Sequence, residues 1–201
     1  STISPSFQSI FLKNVKSIID KVDLLVFSDF NYGCLPQSLV DQIFTLAKVN
    51  NVMLAADSQS SSQIGDISRF NNMNLITPTE REARISTRNN EDGLVVLAEQ
   101  LRQQSSAENT LLKIGEDGVL IHANDNNGDN PWLTDRIGAL NPNPRDVAGA
   151  GDSLLISSAL TMARGGSIWE AALIGSLAAA IQVGRVGNTP LQSKELLKEL
   201  T

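Results

Sequence analysis

Apolar residues recur along this chain in two alternating rhythms. Phe7, Ile10, Phe11, Asn14, Val15 and Ile18 fall on one face of a helix, and Leu24 to Phe30 follow as an apolar run of strand length. Pro36 sits where a helix can start, and Leu39, Val40, Ile43, Phe44 and Ala47 form the apolar stripe of that helix. Val52 to Ala56 read as the next strand, ending at Asp57, and Leu75 to Thr77 as another. Leu94, Val95, Ala98 and Leu101 mark a further helix. Leu111 to Ile121 reads as two apolar strands joined by a short polar turn that carries Asp117-Gly118, with His122 inside the second strand. A helix over Ser153 to Met162 and another through Ala171 to Val183 close the series. The second is opened by the capping box Ser167-Ile168-Trp169-Glu170, in which Trp169 reads as a core anchor.

Strands that alternate with helices predict an α/β domain with a mostly parallel sheet covered by helices. The chain reads as a single domain over residues 1–201, with no internal repeat and no linker. Ser58 to Gly65 is a Ser-rich loop at the carboxyl end of a strand, where open α/β sheets place their ligands; a plain surface loop is the alternative. Ala123 to Asn130 is a turn rich in Asn, Asp and Gly.

The densest chemistry lies in Asp146-Val147-Ala148-Gly149-Ala150-Gly151-Asp152, directly before an apolar helix. A Gly-Ala-Gly turn that opens a helix leaves backbone N–H groups unpaired and lets an anion approach, because no bulky Cβ stands in the way. Asp152 would repel that anion unless it had another task. Accepting a proton from a hydroxyl that attacks a phosphoryl group is one such task, and a first-turn acid favoured by the helix dipole is the plain alternative. Thr79-Glu80-Arg81-Glu82 matches a capping box, with Thr79 at the helix start and Glu82 bonding back to its amide.

The Asp-x-x-Gly-Ala-Gly-Asp heptapeptide resembles the signature of the ribokinase-like PfkB family of carbohydrate kinases, and its form here is similar to the branch that phosphorylates heptose 7-phosphate. Further segments resemble the same family in the same order. Leu75 to Ala83 is similar to its Pro-Asn-x-x-Glu segment, with Thr79 in place of the Asn. Leu111 to Ile121 is similar to its strand and Gly-x-x-Gly turn, with Lys113 in place of a small hydroxyl residue. Leu24 to Gly33 is similar to the Ser-Asp-Tyr segment of heptose kinases.

The resemblance implies a ribokinase-like three-layer α/β/α fold and ATP-dependent phosphorylation of a hydroxyl on a sugar or sugar phosphate, with ATP and Mg2+ as cofactors. It implies Asp152 as the base and Gly149, Ala150 and Gly151 as the anion hole. Thr79, Glu82, Lys113, Gly115, Gly118 and Ser176 would border the nucleotide, and Glu82 and Asp146 would serve the magnesium. Ala148 stands where the family often has Thr or Ser, so one hydroxyl near the site is missing. Family members extend upstream of the segment matching Leu24 to Gly33, through a small β lid that carries much of the sugar site. The chain is therefore expected to be the C-terminal, nucleotide-binding portion of such a kinase, either a fragment or a form that lost its lid. A non-catalytic nucleotide-binding remnant or sensor module is the alternative reading.

Composition narrows the partners. With 16 Lys and Arg against 22 Asp and Glu, the net charge is −6, which argues against general binding of nucleic acid or of anionic membranes. No apolar run approaches the roughly twenty residues that span a bilayer. The single Cys34 excludes an internal disulfide and fits a reducing cytoplasm, and the single His122, with no Cys or His cluster around it, reads as a structural strand residue rather than a zinc ligand. No Gly-x-Gly-x-x-Gly follows the first strand, which argues against a dinucleotide fold. Asp29 and Asp57, at strand ends, are further candidates for a substrate pocket. An exposed apolar sheet edge would allow a homo-oligomer.

Overall fold

A computed structural model describes residues 2–59, 65–123 and 133–200. Its strands are β1 (Leu24–Asp29), β2 (Met53–Ser58), β3 (Leu75–Ile76), β4 (Asn109–Lys113), β5 (Val119–Ala123) and β6 (Leu133–Ile137). They lie side by side in chain order in one sheet, with β1 to β4 parallel and β5 and β6 antiparallel. The helices are α1 (Pro5–Lys16), α2 (Gln37–Val49), α3 (Glu80–Thr87), α4 (Leu94–Ser105), α5 (Ala150–Ala163), α6 (Ile168–Val183) and α7 (Ser193–Glu199).

Strand alternation divides the buried side chains between the two faces of the sheet. Phe27, Leu54, Ala56, Ile76, Leu112 and Leu120 pack with Leu39, Val40 and Ile43 of α2 and with Leu97, Ala98 and Leu101 of α4. Ala55, Leu75, Leu111, Val119 and Ile121 pack instead with Leu154, Leu155 and Ala159 of α5 and Ala172 of α6. Helices thus cover both faces of a mostly parallel sheet, which is the expected three-layer α/β/α arrangement. The parallel strands bring Asp29, Ser58, Thr77 and Lys113 to one edge of the sheet, their shared carboxyl end.

Several expectations need correction. The helix expected from Ser153 starts at Ala150, because Gly149 takes the left-handed conformation (φ 77°) at its cap and lets the helical turns begin three residues early. Of the expected apolar face of α1, Val15 turns inward beside Leu12, but Phe7, Ile10, Phe11 and Ile18 are exposed, Phe7 at 66%. Trp169 is not a core anchor: it lies at the second position of α6 with 36% of its surface exposed, while Ala171 and Ala172, beyond Glu170, are fully buried. β6 and α7 have no counterpart in the pattern, because β6 is a largely polar edge strand and α7 buries no residue. Most of the Ser58 to Gly65 loop and of the Ala123 to Asn130 turn falls outside the described residues.

Candidate functional site

The first turn of α5 lies at the carboxyl edge of the sheet. Ser153 N donates to Gly149 O (2.9 Å) and Ala150 N to Val147 O (3.2 Å), which leaves the Gly151 and Asp152 amides in a first turn where the helix itself offers no acceptor. Asp152, partly exposed, follows directly as the third residue of the helix. The amide of Ala150, expected in the anion hole, is therefore engaged within the turn.

The turn is fixed from outside its own helix. Gln182, near the end of α6, donates from Nε2 to Ala148 O (3.1 Å) and Gly187 O (3.2 Å). Asp146 accepts from Ala148 N (3.0 Å) through Oδ1 and from Gly187 N (2.9 Å) through Oδ2. These two backbone bonds, the one from Ala148 first, hold its carboxyl below the usual aspartate value. Arg145 N and Asp146 N both reach Val183 O, at 2.7 and 3.2 Å. Asp146, expected at the magnesium, thus has each oxygen on a backbone amide.

Lys113 connects the strands to the turn. Alternation puts it on the α5 side of β4, where its ammonium meets Asp57 Oδ2 at 2.8 Å, with Asp57 only 2% exposed and Lys113 17%. A Cβ built on Gly151 would lie 3.3 Å from Lys113 Nζ, so the ammonium sits against the first turn of α5. The ammonium is therefore paired with a protein carboxylate and held beside the turn rather than free in solvent. Burial pushes the Asp57 carboxyl up, Lys113 opposes that shift, and the nearby charge of Glu82 adds to it. Asp57, Lys113 and Glu82 therefore form one electrostatic cluster.

Glu82 is buried in the first turn of α3 and completes the expected capping box. Its Oε2 accepts from Thr79 N (2.8 Å), and Thr79 Oγ1 accepts from Glu82 N (3.2 Å). Thr79 also bridges to Lys113 across the sheet edge. An open groove of about 730 Å3 begins here, lined by Thr79, Arg81, Ile85, Lys113, Ile114 and Gly115 among others. Thr77, which continues the β3 register beside Asp57, has a fully buried Oγ1 with no hydrogen-bond partner among the described residues.

The remaining expected residues are more scattered. Gly115 (φ 65°) has open space where a Cβ would stand, whereas Gly118 (φ 92°) is pressed against Ile137 O and the Gly138 backbone, so its place is dictated by β6. Ser176 is buried in α6 with its hydroxyl unpartnered among the described residues, about 9 Å along the helix axis from Gln182. Asp29 is held by Arg69 Nη2 (2.7 Å) and by Asn31 N (3.0 Å). His122 is fully buried, with Nε2 2.8 Å from Glu99 and Nδ1 2.8 Å from Thr134, as suits a structural residue. Two residues at the turn have no local pattern that announces them: Gln182, which bonds the Ala148 carbonyl, and Asn188, whose side chain lies against Gly149.

Among the described residues no group of three or more His, Cys, Asp or Glu side chains could hold a metal, and no helix is long and apolar enough to cross a membrane. The fold is shared with phosphofructokinase-2 from Escherichia coli in complex with potassium (TM-score 0.78, 16% identity, 98% of this chain and 62% of that one). It is shared also with Arabidopsis thaliana ribokinase complexed with ribose and ATP (TM-score 0.73, 18% identity, 99% and 60%). In sequence the chain is similar to the bifunctional protein HldE of Shewanella baltica, 30% identical over 192 residues (94% of this chain, 38% of the relative). It is likewise similar to HldE of Helicobacter hepaticus, 25% identical over 190 residues (93% and 37%). The chain thus spans well under half the length of these curated relatives. The model of the pfkB family carbohydrate kinases matches residues 5–194, and the chain belongs to that family.

Proposed function

We propose that this chain supplies the nucleotide half of an ATP-dependent kinase acting on a hydroxyl of a sugar or sugar phosphate, with a heptose 7-phosphate as the substrate class suggested by the HldE relatives. The observation that carries the reading is the juxtaposition of the Lys113 ammonium with the first turn of α5, a turn that offers uncommitted amides and carries Asp152 as the residue after Gly151. Amides and ammonium suit a phosphate, and the carboxylate beside them suits the proton of an attacking hydroxyl.

The residues present fit the cofactors. Uncommitted amides at a helix start next to a cation suit the phosphates of ATP. Mg2+ commonly binds through one or two carboxylates together with substrate phosphates and water, a demand that Glu82 can meet; Asp146 is a second candidate, through the lone pairs its two amide bonds leave. Bound MgATP supplies the phosphoryl group and neutralises much of its charge.

The chain's own contribution is positioning and proton transfer. Gly151 and Asp152 amides orient a terminal phosphate over the helix start, and the groove beside Thr79 and Gly115 accommodates the rest of the nucleotide. An Asp152 oxygen would take the hydroxyl proton as the substrate oxygen bonds to the terminal phosphorus and the bond from that phosphorus to the bridging oxygen breaks, with ADP leaving. A small-molecule substrate and a cytoplasmic setting complete the reading.

Calorimetric titration with a non-hydrolysable MgATP analogue, followed by phosphotransfer to a panel of sugars and sugar phosphates, tests it. Asp152→Asn should keep nucleotide binding and lower transfer by about 10²- to 10⁴-fold, the range of general base catalysis. Equal transfer by the variant removes Asp152 from the role of base, and binding without transfer by the parent leaves a nucleotide-binding module.

A further inference from the structure

Lys113 has more hydrogen-bonding capacity than the protein uses. An ammonium has three N–H donors, and among the described residues Asp57 Oδ2 is its one hydrogen-bond acceptor. Asp57 is fixed in turn, because its Oδ1 accepts from Ser58 N (3.0 Å). The carboxylate therefore cannot rotate away without losing a backbone bond. On its other side the ammonium sits against Gly151, in the helix turn where the Gly151 and Asp152 amides have no acceptor within the helix. Thr77 adds a fully buried hydroxyl, without a partner among the described residues, next to Asp57 on the same face of the sheet.

A buried ion pair is a poor source of stability, since desolvating both charges costs about as much as their attraction returns. Its effect here is one of placement. Asp57 stands behind the ammonium, away from solvent, and leaves the remaining donors toward the helix start.

We infer that Lys113, held by Asp57, is a fixed protein cation for the terminal phosphate of the nucleotide, and that Asp57 is its positioning residue. The inference rests on the kinase reading and deepens it. Its consequence is specific: the anion site carries a positive charge of its own, so it binds a polyphosphate when no metal is present.

The test uses inorganic triphosphate in EDTA, titrated calorimetrically into the chain, with the MgATP analogue titrated in parallel. The D57N/K113M variant removes both charges, so no lone charge is left buried, and its thermal midpoint without ligand shows that it folds. The parent is expected to bind triphosphate, D57N/K113M at least tenfold more weakly, and Asp57→Asn alone several-fold more weakly although the lysine remains. Equal triphosphate affinity in D57N/K113M and the parent overturns the role of Lys113. Equal affinity in Asp57→Asn and the parent overturns the positioning role of Asp57. A parent that binds the MgATP analogue but not triphosphate overturns the inference and leaves the kinase reading standing, and a parent that binds neither removes both.

Discussion

Gly149 and Asn188 meet so closely that a Cβ on Gly149 would overlap the Asn188 Oδ1, and Gln182 Nε2 lies 3.3 Å from the same point. Gly149 also has φ 77°, a conformation that costs a residue with a Cβ about 1–2 kcal/mol. Gly149→Ala should therefore lower stability by at least that amount and displace the turn. Chemical denaturation combined with titration of the MgATP analogue checks this. A variant of parent stability and affinity would mean that the turn adapts freely.

Gln182 ties α6 to the turn through two carbonyl oxygens, so Gln182→Leu should release the Ala148 carbonyl while keeping side-chain volume. Losing these two partly buried bonds, together with the one that Gln182 Oε1 accepts from Arg185 Nε (3.2 Å), is expected to cost about 1–3 kcal/mol. Affinity for the MgATP analogue should fall with it, although residue 182 is not in the turn. Unchanged affinity in a destabilised variant would separate the anchor from the site.

Glu82 offers a way to divide a structural role from a functional one. Glutamine serves as well as glutamate at the third position of a capping box, so Glu82→Gln should stay within about 0.5 kcal/mol of the parent in a denaturant melt. Thr79→Ala breaks the box and should cost about 1 kcal/mol. If Glu82 serves the metal, Glu82→Gln should nonetheless raise the magnesium concentration needed for transfer. An unchanged magnesium dependence would assign Glu82 to the cap alone.

His122 predicts the direction of the acid response. Burial holds its imidazole below the usual value, against the pull of Glu99, so the unfolded chain takes up a proton near pH 6.5 that the folded chain refuses. Stability is then full above that pH and declines as pH falls from 6.5 toward the folded value, by no more than about 1.4 kcal/mol per pH unit. For Glu99, burial favours the neutral acid, but its bonds to Arg102, His122 and Gln103 outweigh that and lower its value; its contribution is lost further down, as pH falls below the usual glutamate range. Urea midpoints between pH 8 and 5 should show the first decline, and His122→Gln should flatten it. Parallel curves for the two proteins would place the acid sensitivity elsewhere.

The legible parts of this chain were those where side-chain rhythm and burial agree. β1, β2 and the β4–β5 hairpin are apolar runs, α2 and α4 carry one-sided stripes, and the capping boxes at Thr79 and Ser167 are local by nature. α1 shows the limit of that reasoning, since its phenylalanines make the stronger stripe but Leu12 and Val15 face the core. β6 fails for the opposite reason: Leu133–Ile137 is held by pairing with β5 rather than by burial. In the site, the glycine turn and Asp152 were visible because helix starts are encoded within a few residues. The Lys113–Asp57 pair spans 56 positions and arises only when β2 and β4 end at the same edge of the sheet.

The two hydrophobic cores share no side chain among the described residues, and backbone pairing in the sheet lies between them. Packing lost on one face is not felt directly on the other, so the α5–α6 layer can open as a cooperative unit while the α2–α4 layer stays closed. Amide hydrogen exchange should then resolve two protection classes, one for each layer. The Lys113–Asp57 pair and the α5 turn lie at the seam, next to Glu82 of the opposite layer. An anion bound there would join units that otherwise fluctuate independently, and its binding should be recorded as slowed exchange on both faces of the sheet.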